Sequence, residues 1–158
     1  VGFTDTVKTK PRMLLILFKA ANGYKLNSQN TTFILNDDNP QRDDPFEGIS
    51  ITNRVLQINF RLWYSMGTWF MTISDYKFRY NGKAFALIGS DQSVIHRATQ
   101  VMEDRSFNFV TKRWTYSKGD VNTGGKIKRL TLKNIPVKTL DNFGEPYTWE
   151  IVPGYDPI

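Results

Sequence analysis

Residues Val55 to Leu87 read VLQINFRLWYSMGTWFMTISDYKFRYNGKAFAL, and the spacing of their apolar side chains decides the fold class. Leu56, Ile58, Phe60 and Leu62 alternate with Gln57, Asn59 and Arg61, the period of a strand with one buried face. Ser65-Met66-Gly67-Thr68 interrupts that pattern, and Trp69 opens a second apolar run. Asn81-Gly82 is the dipeptide favoured where both central residues of a tight hairpin need positive φ. A two-residue turn there sets Tyr80 opposite Lys83 and Phe78 opposite Phe85. It predicts Tyr76, Phe78, Phe85 and Leu87 on one face, with Lys77, Arg79, Ala84 and Ala86 on the other.

Outward from this stretch the signals are also those of strands. Pro11 bars a central ladder position, and Met13 to Phe18 is a continuous apolar run that suits a strand buried on both faces. Asn22-Gly23 marks a second hairpin, and Thr31-Thr32-Phe33-Ile34-Leu35 reads as a further strand. NDDNPQRDDP, Asn36 to Pro45, is a loop. Gly89-Ser90-Asp91 is expected to break the strand after Leu87, and residues 93–102 read as irregular or a short strand. Phe107 to Tyr116 reads as one strand, Ser117 to Gly125 as a polar loop, and Lys126 to Lys138 as a strand that Pro136 confines to an edge. Tyr147 to Val152 is expected to form the last strand. About eight short strands with turn signals every roughly 8–15 residues predict an all-β, two-sheet antiparallel β-sandwich or β-prism. The 158 residues make a single β domain, with residues 1–10 as a flexible leader and 153–158 as an exit toward a membrane segment.

Composition narrows the chemistry. The formal net charge of +6 admits nucleic acid, an anionic membrane surface or an acidic partner. The chain has no cysteine and one histidine, His96, which removes thiolate nucleophiles and His/Cys zinc sets. Asp37, Asp38, Asp43 and Asp44 crowd one loop, but their spacing matches no calcium-binding pattern and suits turn formation. No nucleophile, acid and base set can be assembled, so an enzyme is not expected, nor a cofactor or metal. Lys112, Arg113 and Trp114, together with Lys126, Lys128 and Arg129, interleave cations with an aromatic, as single-stranded nucleic-acid binders do. Asn30-Thr31-Thr32 is the one N-x-T glycosylation acceptor. Trp63, Trp114 and Trp149, if exposed, would suit a carbohydrate-binding sandwich.

Three segments in order resemble the luminal domain of the vacuolar-type proton ATPase accessory glycoprotein, which is related to the lysosome-associated membrane proteins. FTDTVKTKPRMLLILF is similar to that family's first strand, and LQINFRLWYSMGTWFMTISDYKFRYNGKAFAL to its central pair. RLTLKNIPVKTLDNFGEPYTWEIVPGYDPI resembles its last luminal strands. Family members usually carry a cysteine pair, whereas the neighbourhoods of Gln100 and Trp149-Glu150 hold none. The resemblance implies a non-enzymatic accessory module that assists the assembly or stability of the pump's membrane sector. It also implies a luminal, membrane-anchored glycoprotein of the vacuole, lysosome or secretory vesicles, held by a helix following residue 158. Asn30 would then carry a glycan, and Trp149 and Tyr155 would lie near the bilayer. The alternative is a basic β-sandwich that binds nucleic acid, of capsid type or as a single-strand binder.

Overall fold

The alternation at Leu56, Ile58 and Phe60 forms the strand it predicts, with those three side chains buried and their neighbours facing outward. In the computed structural model, which describes residues 11–158, this strand is the fourth of ten. The expected leader, residues 1–10, lies outside the described residues. The strands are β1 (Leu14–Ala20), β2 (Gly23–Asn30), β3 (Phe46–Thr52), β4 (Val55–Leu62) and β5 (Phe70–Tyr80). Then come β6 (Phe85–His96), β7 (Val101–Asn108), β8 (Arg113–Asp120), β9 (Gly124–Gly125) and β10 (Lys128–Thr131). Every pairing is antiparallel. β1 and β2 form a two-stranded sheet, and the others an eight-stranded sheet in the order β10-β8-β7-β6-β5-β4-β3, with β9 beside β8. The fold is thus the expected all-β, two-sheet antiparallel arrangement of sandwich type.

One face of the large sheet is apolar and the other polar. Leu56, Ile58, Phe60, Tyr76, Phe78, Phe85, Leu87, Phe107 and Trp114 fill the inner face. The small sheet, the segment that follows it and the C-terminal segment cover that face. Phe33 is the keystone: its ring meets Phe60, Tyr76, Phe78 and Phe143 at centroid distances of 5.2–6.0 Å, most of them edge to face. Phe33-Ile34-Leu35 is buried as expected but is not a strand. Asn30 turns the chain there, its Oδ1 accepting the backbone N–H groups of Thr32 and Phe33 at 2.8 and 2.6 Å. A local side-chain acceptor has replaced the ladder.

Several boundaries fall elsewhere than the sequence suggests. The β5–β6 loop spans residues 81–84, because Asn81 Oδ1 accepts both Lys83 N (3.0 Å) and Ala84 N (2.9 Å). Tyr80 therefore faces Phe85 and Phe78 faces Leu87. A shift of two residues leaves every side chain on its expected face. β6 runs through Gly89-Ser90-Asp91, which pair in register with Lys77, Tyr76 and Asp75 beyond a bulge at Ile88, and continues to His96. Residues 97–100 are the turn that returns it as β7. Phe107 to Tyr116 is two strands, folded at 109–112 with Lys112 at φ 54°. The first hairpin turns at Ala21-Asn22, one residue before the expected pair. β1 is not buried on both faces: Leu14 and Ile16 pack inward, while Leu15 and Leu17 face solvent. β10 is the expected edge strand, though only Lys128–Thr131 belongs to it.

The C-terminal segment departs most. No strand forms over residues 147–152. The chain instead folds back across the inner face, with Ile158 buried and bonded both ways to the backbone of Trp149 at 3.1 Å. Arg105, buried in β7, donates to the Asp156 carbonyl at 2.6 Å, and Gln92 to that of Pro157 at 3.3 Å. Residues 153–158, expected to lead away from the domain, therefore pack against it.

Candidate functional site

The expected membrane-anchored character is corrected by three observations. The described residues contain no helix, and so none long and apolar enough to cross a membrane. Trp149 stacks on Phe109 at 5.5 Å and meets Phe143 edge-on at 5.8 Å, with Lys138 Nζ 5.5 Å from its ring. Tyr155 is wedged between Trp114 and Tyr116, 5.2 Å from each. Both rings are half-buried packing groups of the domain. The expected membrane-anchored, luminal character is corrected to this extent: no described residue belongs to a membrane-spanning helix, and Trp149 and Tyr155 are engaged in packing within the domain.

Asn30 is likewise not a glycan acceptor in this fold. It is buried, and its Nδ2 donates to the Leu140 carbonyl at 2.7 Å. The nitrogen that would carry the sugar is inside the protein. The glycoprotein expectation is corrected with it.

The basic and aromatic residues do not form one surface. Strand alternation sends Trp114 inward, where it is buried and stacked on Phe107 at 5.5 Å. Lys128 follows it to that side and lies 5.9 Å from the Tyr116 ring. Lys112 lines a small apolar crevice of about 210 Å³ with Val110, Leu132 and Trp149. Lys126 sits exposed in the connection before β10. Only Arg113 and Arg129 share the outer face of the sheet. The cation–ring interleaving is therefore divided between two faces, and base stacking loses its ring. Trp63 lies half-buried under the Arg97 guanidinium at 4.9 Å. Of the tryptophans, Trp69 is the exposed one, at 63%. No periodicity signals this, because Trp69 stands at the end of a loop.

Three of the four aspartates of the acidic loop, Asp38, Asp43 and Asp44, are paired with arginines of the domain. Asp44 receives both terminal nitrogens of Arg12, at 2.6 and 2.7 Å, and Asp38 pairs with Arg42 at 3.0 Å. Asp43 and Glu47 both approach Arg61. The hydrogen bond from Arg12 holds the Asp44 carboxyl below its usual range. Among the described residues no group of three or more carboxylates and histidines is placed to hold a metal ion. His96 Nδ1 faces the Thr99 hydroxyl at 3.0 Å and its ring meets Phe70 edge-on, so it closes the β6–β7 turn.

Two polar clusters remain. On the outer face, Lys77 bridges Asp75 and Asp91, the latter through a short hydrogen bond. Burial, and then the Asp91 charge, raise the Asp75 carboxyl; Asp91 is also desolvated, but hydrogen bonds from Lys77 and Ser106 hold it below normal. Inside, the Tyr147 phenol is hydrogen-bonded to the Ser74 hydroxyl and is pushed up to about 12 by burial. Such a phenol stays protonated at neutral pH and cannot serve as a base.

A different feature stands out between the two sheets. Leu15, Leu17, Tyr24, Ile49 and Ile51 line one groove of about 370 Å³ between β1 and β3. Tyr24 is 74% and Ile51 73% exposed. β1 is paired only to β2, and β3 only to β4, so among the described residues both strands present a free edge. Leu26 lies opposite Leu17 and extends the apolar surface across the hairpin. The sequence shows these residues as apolar but does not show that no described residue covers them.

Comparison of the chain with protein-family models, with curated proteins and with solved structures finds no match.

Proposed function

We propose that this chain is a non-enzymatic accessory module of a larger protein assembly, the one its resemblance implies being the vacuolar-type proton ATPase. The observation that carries the docking role is the groove between β1 and β3. Large apolar side chains grouped on a protein surface mark docking sites for other proteins. Two free strand edges beside them offer main-chain hydrogen bonds to an extended segment of the partner. Neither a membrane helix nor a glycan at Asn30 belongs to this reading. The nucleic-acid alternative is less favoured because Trp114 is buried in the core.

The test is affinity purification of the tagged full chain from its own cells in mild detergent, beside a Leu17→Asp/Ile51→Asp variant. Both substituted residues are exposed, at 51% and 73%, so the variant should melt as the parent does. Recovery of proton-pump subunits with the parent and their loss with the variant supports the proposal. Recovery of nucleic acid instead, with binding that falls steeply as salt rises, sinks it in favour of the alternative. Equal recovery of pump subunits with both forms would exclude the groove as the docking surface.

A further inference from the structure

Arg113 of β8 and Arg129 of β10 line an open groove of about 480 Å³ on the outer face of the large sheet, with Ser106, Asn108, Thr115 and Thr131. Thr131 is opposite Arg113, and Arg129 opposite Thr115. The two arginines are therefore diagonal neighbours on one face, with side chains rooted about 7 Å apart. Both are exposed, and neither has a carboxylate partner among the described residues. Arg12, Arg42, Arg61 and Arg105 each have one.

The nearest carboxylates on the same face are already engaged. Asp91, opposite Ser106, is held by Lys77 and Ser106. Asp104 accepts the hydroxyls of Ser93 and Ser117, at 2.5 and 3.4 Å. Two like charges on adjacent strands repel, and an anion between them removes that repulsion. The threonine hydroxyls and the Asn108 amide nitrogen are further donors; Asn108 Oδ1 is occupied by Thr111 N at 2.9 Å. Planar guanidinium forks beside hydroxyls match the oxygens of a phosphoryl or sulfuryl group.

We propose that the Arg113–Arg129 groove is a binding site for a tetrahedral oxyanion, gripped by the two guanidinium groups and oriented by Thr115, Thr131 and Asn108. The surface lies on the other side of the large sheet from the apolar groove, so both could be occupied together.

Free phosphate and a phosphodiester chain present the same group, and a titration followed by amide chemical shifts separates them. The probes are inorganic phosphate and an oligothymidylate of about twelve nucleotides. With either probe, shifts should concentrate at residues 106–115 and 129–131. Arg113→Gln/Arg129→Gln should weaken both at least tenfold. Lys25→Gln/Lys83→Gln, which removes the same charge elsewhere, should leave both unchanged. Oligonucleotide binding tenfold tighter than phosphate identifies a polyanion. The salt slope should then fall by about 1.4 in the arginine variant, at roughly 0.7 for each phosphate of a single strand that is no longer neutralised. Equal affinities identify a small free anion. If the glutamine pair does not fold, Arg113→Lys/Arg129→Lys keeps the charge, removes the fork and should still weaken phosphate. Absence of shifts at the groove with both probes overturns the proposal. So does an equal effect of the lysine control pair.

Discussion

The side-chain amide of Asn30 donates to the carbonyl of Leu140 at 2.7 Å, joining the end of β2 to a loop 110 residues later. The same side chain accepts the N–H groups of Thr32 and Phe33. One buried amide thereby fixes the chain that delivers Phe33 to the core. Asn30→Ala should destabilise the domain by roughly 2–3 kcal/mol, since it leaves buried donors and an acceptor unmatched. Denaturant titration measures this. A loss below about 0.5 kcal/mol would show that the amide is dispensable.

Gly82 has φ 96°, and a Cβ there would meet nothing within 4 Å. Any cost of substitution is therefore conformational. Gly82→Val should cost about 1 kcal/mol or more, and Gly82→Asn distinctly less, because asparagine tolerates positive φ. Equal losses in thermal melts would contradict the assignment of strain.

Gly119 lies opposite Gly125, and a Cβ on Gly119 would press on the Gly124 carbonyl and stand 2.7 Å from Gly125 Cα. Gly119→Ala should detach β9 from β8 at a cost of roughly 1–3 kcal/mol, as overpacking does. Hydrogen exchange should quicken at the β8–β9 ladder and stay unchanged across β4 and β5. Uniform acceleration would mean a global effect instead.

Asp44 titrates below its ordinary value of 3.8 because Arg12 hydrogen-bonds to its ionised form. A depressed folded-state value means stability that is fully present above pH 3.8 and lost as pH falls through the lowered value. Asp44→Asn should cost roughly 0.5–1 kcal/mol at pH 7, as a well-formed but exposed ion pair does. The difference from the parent should hold down to about pH 5 and shrink below pH 3.8. A difference that grows on acidification would reverse the sign and exclude the pair as its source.

What the sequence by itself determined is the set of faces. Alternation at Leu56–Leu62 and at Tyr76–Leu87 places each side chain inward or outward in any register that differs by an even number of residues. That is why a loop of four residues at 81–84 in place of two left the inner face unchanged. Period two survives an even shift. The candidate sites were legible only as residue types. Burial of Asn30 depends on a carbonyl supplied by Leu140, and the packing of Tyr155 on Trp114 depends on the C-terminal segment folding back. Neither interaction leaves a local signal. The pairing of Arg113 with Arg129 follows from the register of β8 with β10, and the exposure of Tyr24 and Ile51 from the absence of a covering layer among the described residues. Those relationships join segments distant in the chain, and only the tertiary structure decides them.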